Sequence, residues 1–324
     1  MKILIAGGTG FIGRTIIENL QLDEEIEYHV LTRQHIENHN NVHYHLWDGE
    51  NIGSWKVFID HCDIIINLAG RSVKCRYNET NKKEIYDSRI KSTYVLGEVI
   101  SNSKKPPSLW INMSTATIYR HEKERANDEY KGILGSGFSV DVARKWEEIF
   151  YAAYTPFTRK VGLRTAIVFG KEGEVFKIYK NHIKMGLSGR HGRGDQMVSW
   201  IHEFDFVNAL KHLIENEACK GNYNLSAPGA VSDETFLSTF RRLMRKTVAL
   251  PVPEWALNLG AFFCGAETEM LLKSRWVFPG RLKEEGYEFQ FPDHTSALKE
   301  LLRSKRQPQL SLHRKNENKL SWQC

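Results

Sequence analysis

The amino-acid sequence predicts an α/β fold, in which a doubly wound parallel sheet is joined to a smaller C-terminal lobe. Apolar, β-branched runs alternate with helix-like stretches through the first half of its 324 residues, which is typical of such a sheet. Runs such as Ile64-Ile65-Ile66 show no polar alternation, as strands covered by helices on both faces require. A chain of this length is long enough for one large domain or two of ordinary size.

The pattern assigns the elements in chain order. We expect strands at residues 2–6, 27–31, 42–46, 63–68, 109–113 and 160–169. Helical periodicity predicts helices between several of them, at residues 14–20, 82–100 and 139–154. Past Gly170 we expect helices at 175–187 and 205–215, and a strand at 222–226 that rejoins the sheet. Helices at 233–245 and near 254–264 follow, and then a turn at Pro279-Gly280.

These elements divide the chain into three predicted parts. Residues 1–170, rejoined by 196–226, form the sheet domain. Residues 171–195 and 227–302 form the smaller lobe. Residues 303–324 are polar and basic with little apolar periodicity, so we expect a disordered tail there.

The net charge belongs mainly to that tail. The chain carries a formal charge of +6, but residues 301–324 hold six basic side chains and one acidic side chain. The preceding part is almost balanced, so the folded region offers no basic face for nucleic acid. We expect no nucleic-acid partner.

Cysteine usage indicates a reducing compartment, and hydropathy indicates no membrane-spanning segment. The 5 cysteines include no Cys-x-x-Cys pair, so neither a disulfide framework nor a thiolate zinc site is predicted. His39, His43 and His45 resemble a metal cluster, but a metal site would need a third or fourth ligand placed by the fold, and we predict no metal. No apolar run approaches the roughly 20 residues that span a bilayer, and no signal peptide is recognisable. We expect a cytoplasmic protein without a membrane partner.

A glycine-rich segment lies between the first strand and the first helix. Residues 7–13 read Gly-Gly-Thr-Gly-Phe-Ile-Gly, which fits both G-x-x-G-x-x-G and G-x-G-x-x-G. Glycines let the backbone turn tightly and approach a pyrophosphate, while the helix N-terminus supplies N–H donors. The segment predicts a dinucleotide site formed by Gly7, Thr9, Gly10, Phe11, Ile12 and Gly13. A purely structural turn is the alternative.

The end of the second strand indicates which dinucleotide binds. An NAD site usually has Asp or Glu there, which binds the ribose 2′-hydroxyl. This sequence has Arg33 instead, and a guanidinium can pair with a 2′-phosphate. We therefore predict NADP as the cofactor; the alternative is that Arg33 is a solvated turn residue.

Further motifs accompany the glycine segment: Asn67-Leu68-Ala69-Gly70, Ser88-Arg89-Ile90, Ser-Thr-Ala-Thr-Ile-Tyr at 114–119, and Ser-Trp-Ile-His at 199–202. Together they resemble the extended short-chain dehydrogenase/reductase superfamily, and within it the bacterial NAD(P)-dependent epimerase/dehydratase-like proteins. The resemblance runs from Lys2 to about Leu302. It implies a Rossmann domain, an NADP site and a substrate lobe that ends in a small C-terminal domain of unassigned role.

The resemblance also implies roles for single residues. Asn67, Leu68, Ala69 and Gly70 would border the ribose and pyrophosphate of the cofactor. Arg89 stands where many members have an active-site Asn; it would bind the cofactor or an anionic substrate group, or face solvent. Thr115 aligns with the catalytic Ser/Thr of the superfamily, with a strand-end structural role as the alternative.

The chain departs from the superfamily in its acid/base pair. Working members carry a Tyr and, four residues later, a Lys on the helix after the fifth strand, where the Tyr exchanges a proton with the substrate oxygen. The helix expected at 139–154 has no tyrosine four residues before a lysine. Tyr119 and Lys123 have that spacing but follow the fifth strand directly. Tyr119 is therefore a candidate catalytic residue beside Thr115.

Two functions remain open at this point. One is hydride transfer at a carbinol or carbonyl carbon of a small, nucleotide-sugar-like substrate, as in an epimerase, dehydratase or reductase. The other is a non-catalytic NADP-binding sensor or interaction protein, which the missing Tyr/Lys pair favours. Fold likeness alone is a weak guide to the reaction. The sequence gives no indication of the oligomeric state.

Overall fold

The computed structural model describes residues 1–22, 24–257 and 273–303. The strands in these ranges are β1 (Lys2–Ala6), β2 (Glu27–Thr32), β3 (Val42–Leu46), β4 (Ile64–Asn67), β5 (Leu109–Thr115), β6 (Arg159–Thr165), β7 (Ile167–Phe169), β8 (Met197–Val198), β9 (Trp200–His202), β10 (Gly221–Leu225) and β11 (Val231–Ser232). The helices are α1 (Phe11–Asn19), α2 (Glu79–Ser101), α3 (Phe138–Ala152), α4 (Glu174–Lys184), α5 (Glu203–Glu215), α6 (Asp233–Leu243), α7 (Gly280–Glu284) and α8 (His294–Leu302).

Seven of the described strands form one parallel sheet in the order β10-β6-β5-β4-β1-β2-β3. At its centre, Ile3 of β1 pairs with Tyr28 of β2 on one side and with Ile64 of β4 on the other. The chain builds one half of the sheet through β2 and β3, and then returns to build the other half from β4. This reversal opens a crevice at the carboxyl ends of β1 and β4, where doubly wound sheets bind ligands. The predicted fold class is confirmed.

Both faces of the sheet are covered, which explains the unbroken apolar runs in the sequence. Successive strand residues point to opposite faces, so Ile5 packs in one core with Leu210 of α5. Leu4 packs in a second core with Leu96 of α2. All four side chains are fully buried. A central strand with two buried faces has no position for a polar side chain to alternate with the apolar ones.

From β7 onward the chain builds a further apolar core. Phe169, Phe176, Trp200, Phe236 and Phe240 are buried in it, and the rings of Phe169 and Phe236 stack 5.3 Å apart. Two small sheets, β8 with β11 and β7 with β9, accompany these helices. The boundaries assigned to the two domains stay a prediction.

Three of the differences from the sequence-based expectations have a local physical cause. The strand expected at 160–169 is two strands, because β6 stays in the main sheet whereas β7 pairs with β9. Helix α1 begins at Phe11, since Gly10 already takes the N-cap position. Pro279-Gly280 is the start of α7 rather than an isolated turn, since the fixed φ of proline is compatible with a helix start.

Two expectations fall largely on residues that the structure does not describe. Residues 254–257 are helical, but the rest of the helix expected near 254–264 lies outside the described ranges, as does the tail from residue 304. Within the described ranges, no helix is both long enough and apolar enough to cross a membrane.

Candidate functional site

The glycine segment joins β1 to α1 in a turn that side chains would block. Gly7 has a φ of +75°, in the left-handed region, and a Cβ there would lie 3.0 Å from the Ala69 Cα atom. A Cβ on Gly13 would lie 2.2 Å from the carbonyl oxygen of Gly8. The bare backbone therefore lets α1 pack directly on the turn and brings its N-terminus to the sheet edge.

The first turn of α1 presents backbone N–H groups to this edge. Gly10 provides no side-chain cap, and the first turn carries no acidic residue. The N–H groups of Phe11, Ile12 and Gly13 have no acceptor within the helix, because the first turn of any helix lacks them. Such an end attracts a phosphate group. Arg14 is engaged elsewhere, since its Nη1 donates to the Thr9 carbonyl at 2.7 Å and holds the loop.

Arg33 stands just past the end of the strand that borders this turn. It follows β2 directly and is exposed. The neighbouring Leu31 carbonyl accepts a hydrogen bond from the Gly7 N–H at 3.0 Å, so β2 and the glycine turn are tied together. The position agrees with the predicted contact to a 2′-phosphate, which stays a prediction.

Asn67 shapes the loop after β4 with a side chain that is fully buried. Its Nδ2 donates to Asn112 Oδ1 at 2.7 Å and to Thr93 Oγ1 at 3.0 Å. Its Oδ1 accepts from the Ala69 N–H at 3.1 Å. Every polar atom of this side chain is thus used inside the protein. The structure gives the Asn67 side chain a supporting role for the loop, and the predicted place of residues 67–70 beside the cofactor stays a prediction.

A cavity of about 410 Å³ opens where β4, β5 and β6 end. Phe11 and Ile12 of α1 line one side, and Leu68 and Gly70 come from the loop after β4. The lining is mostly apolar. The charged side chains that line it within the described residues are Arg89, Lys273 and Arg275, and no carboxylate joins them there. Among the described residues, Arg89 therefore offers the cavity a positive charge that a negatively charged ligand could use.

Arg89 is held as a cation without a carboxylate partner in the described part of the chain. Its Nη1 donates to the Ile85 carbonyl at 3.0 Å and its Nη2 to the Arg71 carbonyl at 3.1 Å. The guanidinium lies over the Trp146 ring, with 5.2 Å between Cζ and the ring centre. Burial lowers the pKa of Arg89 to about 10, so it remains charged at neutral pH. A Cβ on Gly70 would lie 3.2 Å from Arg89 Cζ, so this glycine makes room for the guanidinium.

Thr115 ends β5 at the floor of the cavity. Its Oγ1 accepts from the Thr117 N–H at 3.1 Å and donates to Thr117 Oγ1 at 3.0 Å. The hydroxyl therefore caps the short 3-10 turn that follows the strand. Thr115 therefore has the structural role at the strand end that the sequence analysis gave as its alternative. It also lines the cavity, and its predicted contact with a substrate stays a prediction.

Tyr119 lies outside the cavity lining and is only 1% exposed. Its hydroxyl donates to Asn224 Oδ1 at 2.9 Å and accepts from Arg164 Nη1 at 3.0 Å. Burial raises the pKa of Tyr119. Lys123, the other half of the Tyr-x-x-x-Lys spacing, pairs with Asp195 at 2.6 Å. Because the Tyr119 hydroxyl is fixed in the protein interior, the geometry does not support a catalytic role for Tyr119.

A buried ion pair supports the same region. Glu147 accepts from Arg164 Nη2 at 2.7 Å and from Ser114 Oγ at 2.7 Å. The side chains of Glu147 and Arg164 are each 11% exposed. This pair ties α3 to β5 and β6 beneath the cavity.

Helix α3 carries no tyrosine or lysine into the cavity. Its lining residues are Phe138, Ser139, Val142, Ala143 and Trp146. The α3 residues that line the site thus lack the usual tyrosine and lysine, as the sequence predicted.

Tyr77 is a cavity residue that the sequence analysis missed. It lines the cavity, and its ring lies edge-on to the Phe138 ring with 5.1 Å between centres. Electrostatic attraction to Tyr77 opposes the effect of burial on the pKa of Arg89. Tyr77 directly precedes Asn78, whose side chain caps α2. The sequence analysis marked neither this cap nor the tyrosine.

Comparison with known proteins agrees with this geometry. The model of the NAD dependent epimerase/dehydratase family matches residues 3–226, and the model of a domain of unknown function matches residues 252–301. The chain belongs to the NAD-dependent epimerase/dehydratase family. The resemblance drawn from the motifs is confirmed, and so is a C-terminal region of unassigned role.

Relatives in this family cover almost the whole chain. Epimerase family protein SSP1921 of Staphylococcus saprophyticus is 31% identical over 92% of this chain and 98% of its own length. Epimerase family protein SDR39U1 of Homo sapiens is 29% identical over 93% of this chain and 100% of its own length.

Solved structures of the epimerase family have the same fold. Human SDR39U1 isoform 2, crystallised with NADPH, has a TM-score of 0.79 and 28% identity, and the match covers 93% of this chain and 99% of that one. UDP-N-acetylglucosamine 4-epimerase from Bacillus cereus has a TM-score of 0.70 at 17% identity, with 93% and 98% covered. The second likeness concerns the fold alone.

Proposed function

We propose that this epimerase-family protein binds NADP(H) and transfers hydride at a carbinol or carbonyl carbon of a small anionic substrate. One observation carries the proposal. A single cavity connects the open N-terminus of α1, at Phe11 and Ile12, with Thr115 and the Arg89 cation. A dinucleotide needs the open helix N-terminus, and a reacting group beside the dinucleotide needs Thr115 and Arg89.

The residues at the glycine turn fit a dinucleotide. Gly7 and Gly13 allow the tight turn, because a Cβ at either position would meet the protein backbone, and the first turn of α1 offers N–H donors. Arg33, directly after the strand next to the turn, supplies a positive charge for a 2′-phosphate. The NADPH in the crystals of human SDR39U1 supports the same choice of cofactor. When bound, the nicotinamide ring supplies or accepts the hydride.

The lining indicates the chemical class of the substrate. Arg89 is anchored by two carbonyl groups and by the Trp146 ring, so its charge is not cancelled by a carboxylate in the described region. We therefore propose a substrate with a carboxylate or phosphate group, and we assign Arg89 to that group.

We infer that Tyr77 takes the place of the missing acid. Tyr119 is buried outside the cavity, and the pKa of Tyr179 is raised by burial and by the nearby Asp233 charge. Tyr77 lines the cavity and interacts electrostatically with Arg89. The Arg89 cation accompanies this phenol, as a lysine accompanies the usual tyrosine. Tyr77 Oη would hold the proton exchanged with the substrate oxygen.

The test uses NADPH that carries deuterium at the transferred position. The protein is incubated with pools of carbonyl compounds, some with a carboxylate or phosphate group and some neutral, and products are examined by mass spectrometry. We expect deuterium in an anionic product, and a turnover that falls about 100-fold or more in Tyr77→Phe. Tyr94→Phe, on the exposed face of α2, is the control and should keep the rate.

A different result would favour the other function. NADPH binding without deuterium transfer to any compound would support the non-catalytic alternative, which the absence of a tyrosine and lysine from the α3 lining favours. Transfer that is unaffected by Tyr77→Phe would support an enzyme but contradict the role of Tyr77.

A further inference from the structure

Three potential metal ligands from separate parts of the chain meet at one point. His212 lies in the last turn of α5, Cys219 precedes β10, and Glu285 follows α7 directly. One ligand atom from each side chain lies within 4.8 Å of the other two. We propose that this His212–Cys219–Glu285 cluster binds a thiophilic divalent cation of the Zn²⁺ class.

Two of the three ligand–ligand distances agree with a tetrahedral zinc ion. Bonds of about 2.0–2.3 Å to a tetrahedral Zn²⁺ place neighbouring ligand atoms about 3.3–3.6 Å apart. The Cys219 thiol donates a hydrogen bond to Glu285 Oε2 with an S–O distance of 3.4 Å, and His212 Nε2 lies 3.5 Å from the same oxygen. The imidazole contact is too long for a good hydrogen bond but suits two ligands of one ion.

His212 provides a second observation that favours a ligand. Its Nε2 atom is buried and has no hydrogen-bond partner. A buried polar atom without a partner is unfavourable, and a cation between the three side chains would bind its lone pair. The thiol of Cys219 is buried, and a coordinated thiol loses its proton to become the thiolate ligand.

The groups around the cluster hold its ligands in place. Tyr223 Oη donates to Glu285 Oε1 at 2.7 Å, which leaves Oε2 for the ion. Arg159 donates to the Cys219 carbonyl at 2.6 Å and to the Leu213 carbonyl at 3.0 Å, so it fixes the loop beside the end of α5. Partners of this kind orient metal ligands and are part of a metal site.

Two positive charges lie nearby and must be compatible with the ion. Arg281 Nη2 is 3.6 Å from Glu285 Oε1 but donates to Tyr223 Oη at 2.6 Å, and its Nη1 donates to two carbonyls. Arg159 likewise donates to carbonyl groups. A thiolate and a carboxylate together balance the charge of Zn²⁺. The side chains of His212 and Glu285 are 25% and 27% exposed, so the cluster lies close to the protein surface.

The position of the cluster separates it from the proposed cofactor cavity. It lies at the amino end of β10, whereas the cavity opens at carboxyl ends of strands of the same parallel sheet. His212 and Cys219 belong to the region matched by the epimerase family model, and Glu285 belongs to the region matched by the domain of unknown function. The bound ion would therefore cross-link the two regions. The sequence predicted no thiolate metal site, because its ligands are far apart along the chain.

The test is a titration of the full-length, chelator-treated protein with Co²⁺, a spectroscopic substitute for Zn²⁺. We expect one equivalent to bind with a thiolate-to-metal charge-transfer band and the intense visible bands of tetrahedral Co²⁺, and Zn²⁺ to displace it. Cys219→Ala should lose the charge-transfer band, and Glu285→Gln should weaken binding at least tenfold. Cys62→Ala, which removes another buried thiol, is the matched control and should keep the spectrum.

Circular dichroism shows whether each variant is folded. If Cys219→Ala does not fold, His212→Gln provides the same comparison. A wild-type protein that gives no thiolate band with Co²⁺ would overturn the proposal. A band that persists in folded Cys219→Ala, or in folded His212→Gln and Glu285→Gln at unchanged affinity, would overturn it as well. None of these outcomes depends on NADP(H) binding or turnover.

Discussion

The guanidinium of Arg89 lies over the indole ring of Trp146, with 5.2 Å between Cζ and the ring centre. The ring faces the cation from α3, and the carbonyls of Ile85 and Arg71 accept two of its N–H groups. A cation held over an aromatic face keeps its charge in a partly desolvated site. This arrangement leaves Arg89 able to attract an anion into the cavity.

Arg89→Met should therefore weaken the binding of an anionic substrate more than that of a neutral one. The change keeps a long apolar side chain on Trp146 but removes the charge, and a lost charge-assisted hydrogen bond costs about 1.5–3 kcal/mol. We expect KM for the anionic substrate to rise at least tenfold. Lys91→Met, on the same helix but paired with Glu50 at the surface, is the control. Equal changes for anionic and neutral compounds would contradict the assignment of Arg89.

Gly13→Ala should weaken the binding of NADPH. The new Cβ would lie 2.2 Å from the Gly8 carbonyl oxygen, so α1 would have to move away from the turn. We expect the dissociation constant, measured by the fluorescence of NADPH, to rise at least tenfold. Circular dichroism checks that the variant is folded; Gly10→Ala, where a Cβ meets only the Gly7 carbonyl oxygen at 3.7 Å, should leave the fold unchanged. A Gly13→Ala protein with unchanged affinity would show that the turn does not bind the cofactor.

Glu147→Gln should destabilise the protein by about 3–5 kcal/mol, because it leaves the buried Arg164 without its carboxylate. Urea unfolding measures this change in the free energy of unfolding. Glu148→Gln, next in sequence but in an exposed pair with Lys145, should change it by less than about 1 kcal/mol. Similar losses in the two variants would mean that the Arg164 pair is not buried as described.

A lower pH should destabilise the protein through protonation of His45, which lies on β3 at the edge of the main sheet. Burial, and then the charges of His29 and His43, lower the pKa of His45 to about 4, and Phe58 stacks on its ring. The unfolded chain titrates near 6.5, so the unfolded state binds the proton more tightly. The stability from neutral His45 is present above pH 6.5 and is lost as the pH falls toward 4.

The melting temperature of wild-type protein should therefore fall more steeply between pH 6.5 and 4 than that of His45→Gln. His35→Gln, at an exposed position, is the control and should follow the wild type. Parallel curves for wild type and His45→Gln would contradict a neutral His45 in the folded protein.

The sequence predicted the parts of the molecule that depend on neighbouring residues. The glycine spacing at residues 7–13 implies the backbone turn, and the apolar runs imply covered strands. It could not show that Tyr119 is sequestered, because its partner Asn224 lies 105 residues away in the chain. Tyr77 and the His212–Cys219–Glu285 cluster likewise depend on contacts between distant segments, which no local pattern records.

The central claim is that the glycine turn and Arg33 bind NADPH in preference to NADH. The most direct measurement is a paired fluorescence titration of wild-type protein and Arg33→Asp with both cofactors. We expect the wild type to bind NADPH at least tenfold more tightly, since Arg33 pairs with the 2′-phosphate. Arg33→Asp should weaken the binding of NADPH far more than that of NADH, so that the preference for NADPH disappears or reverses. Wild-type protein that binds neither cofactor, or an Arg33→Asp protein that keeps the NADPH preference, would contradict the claim.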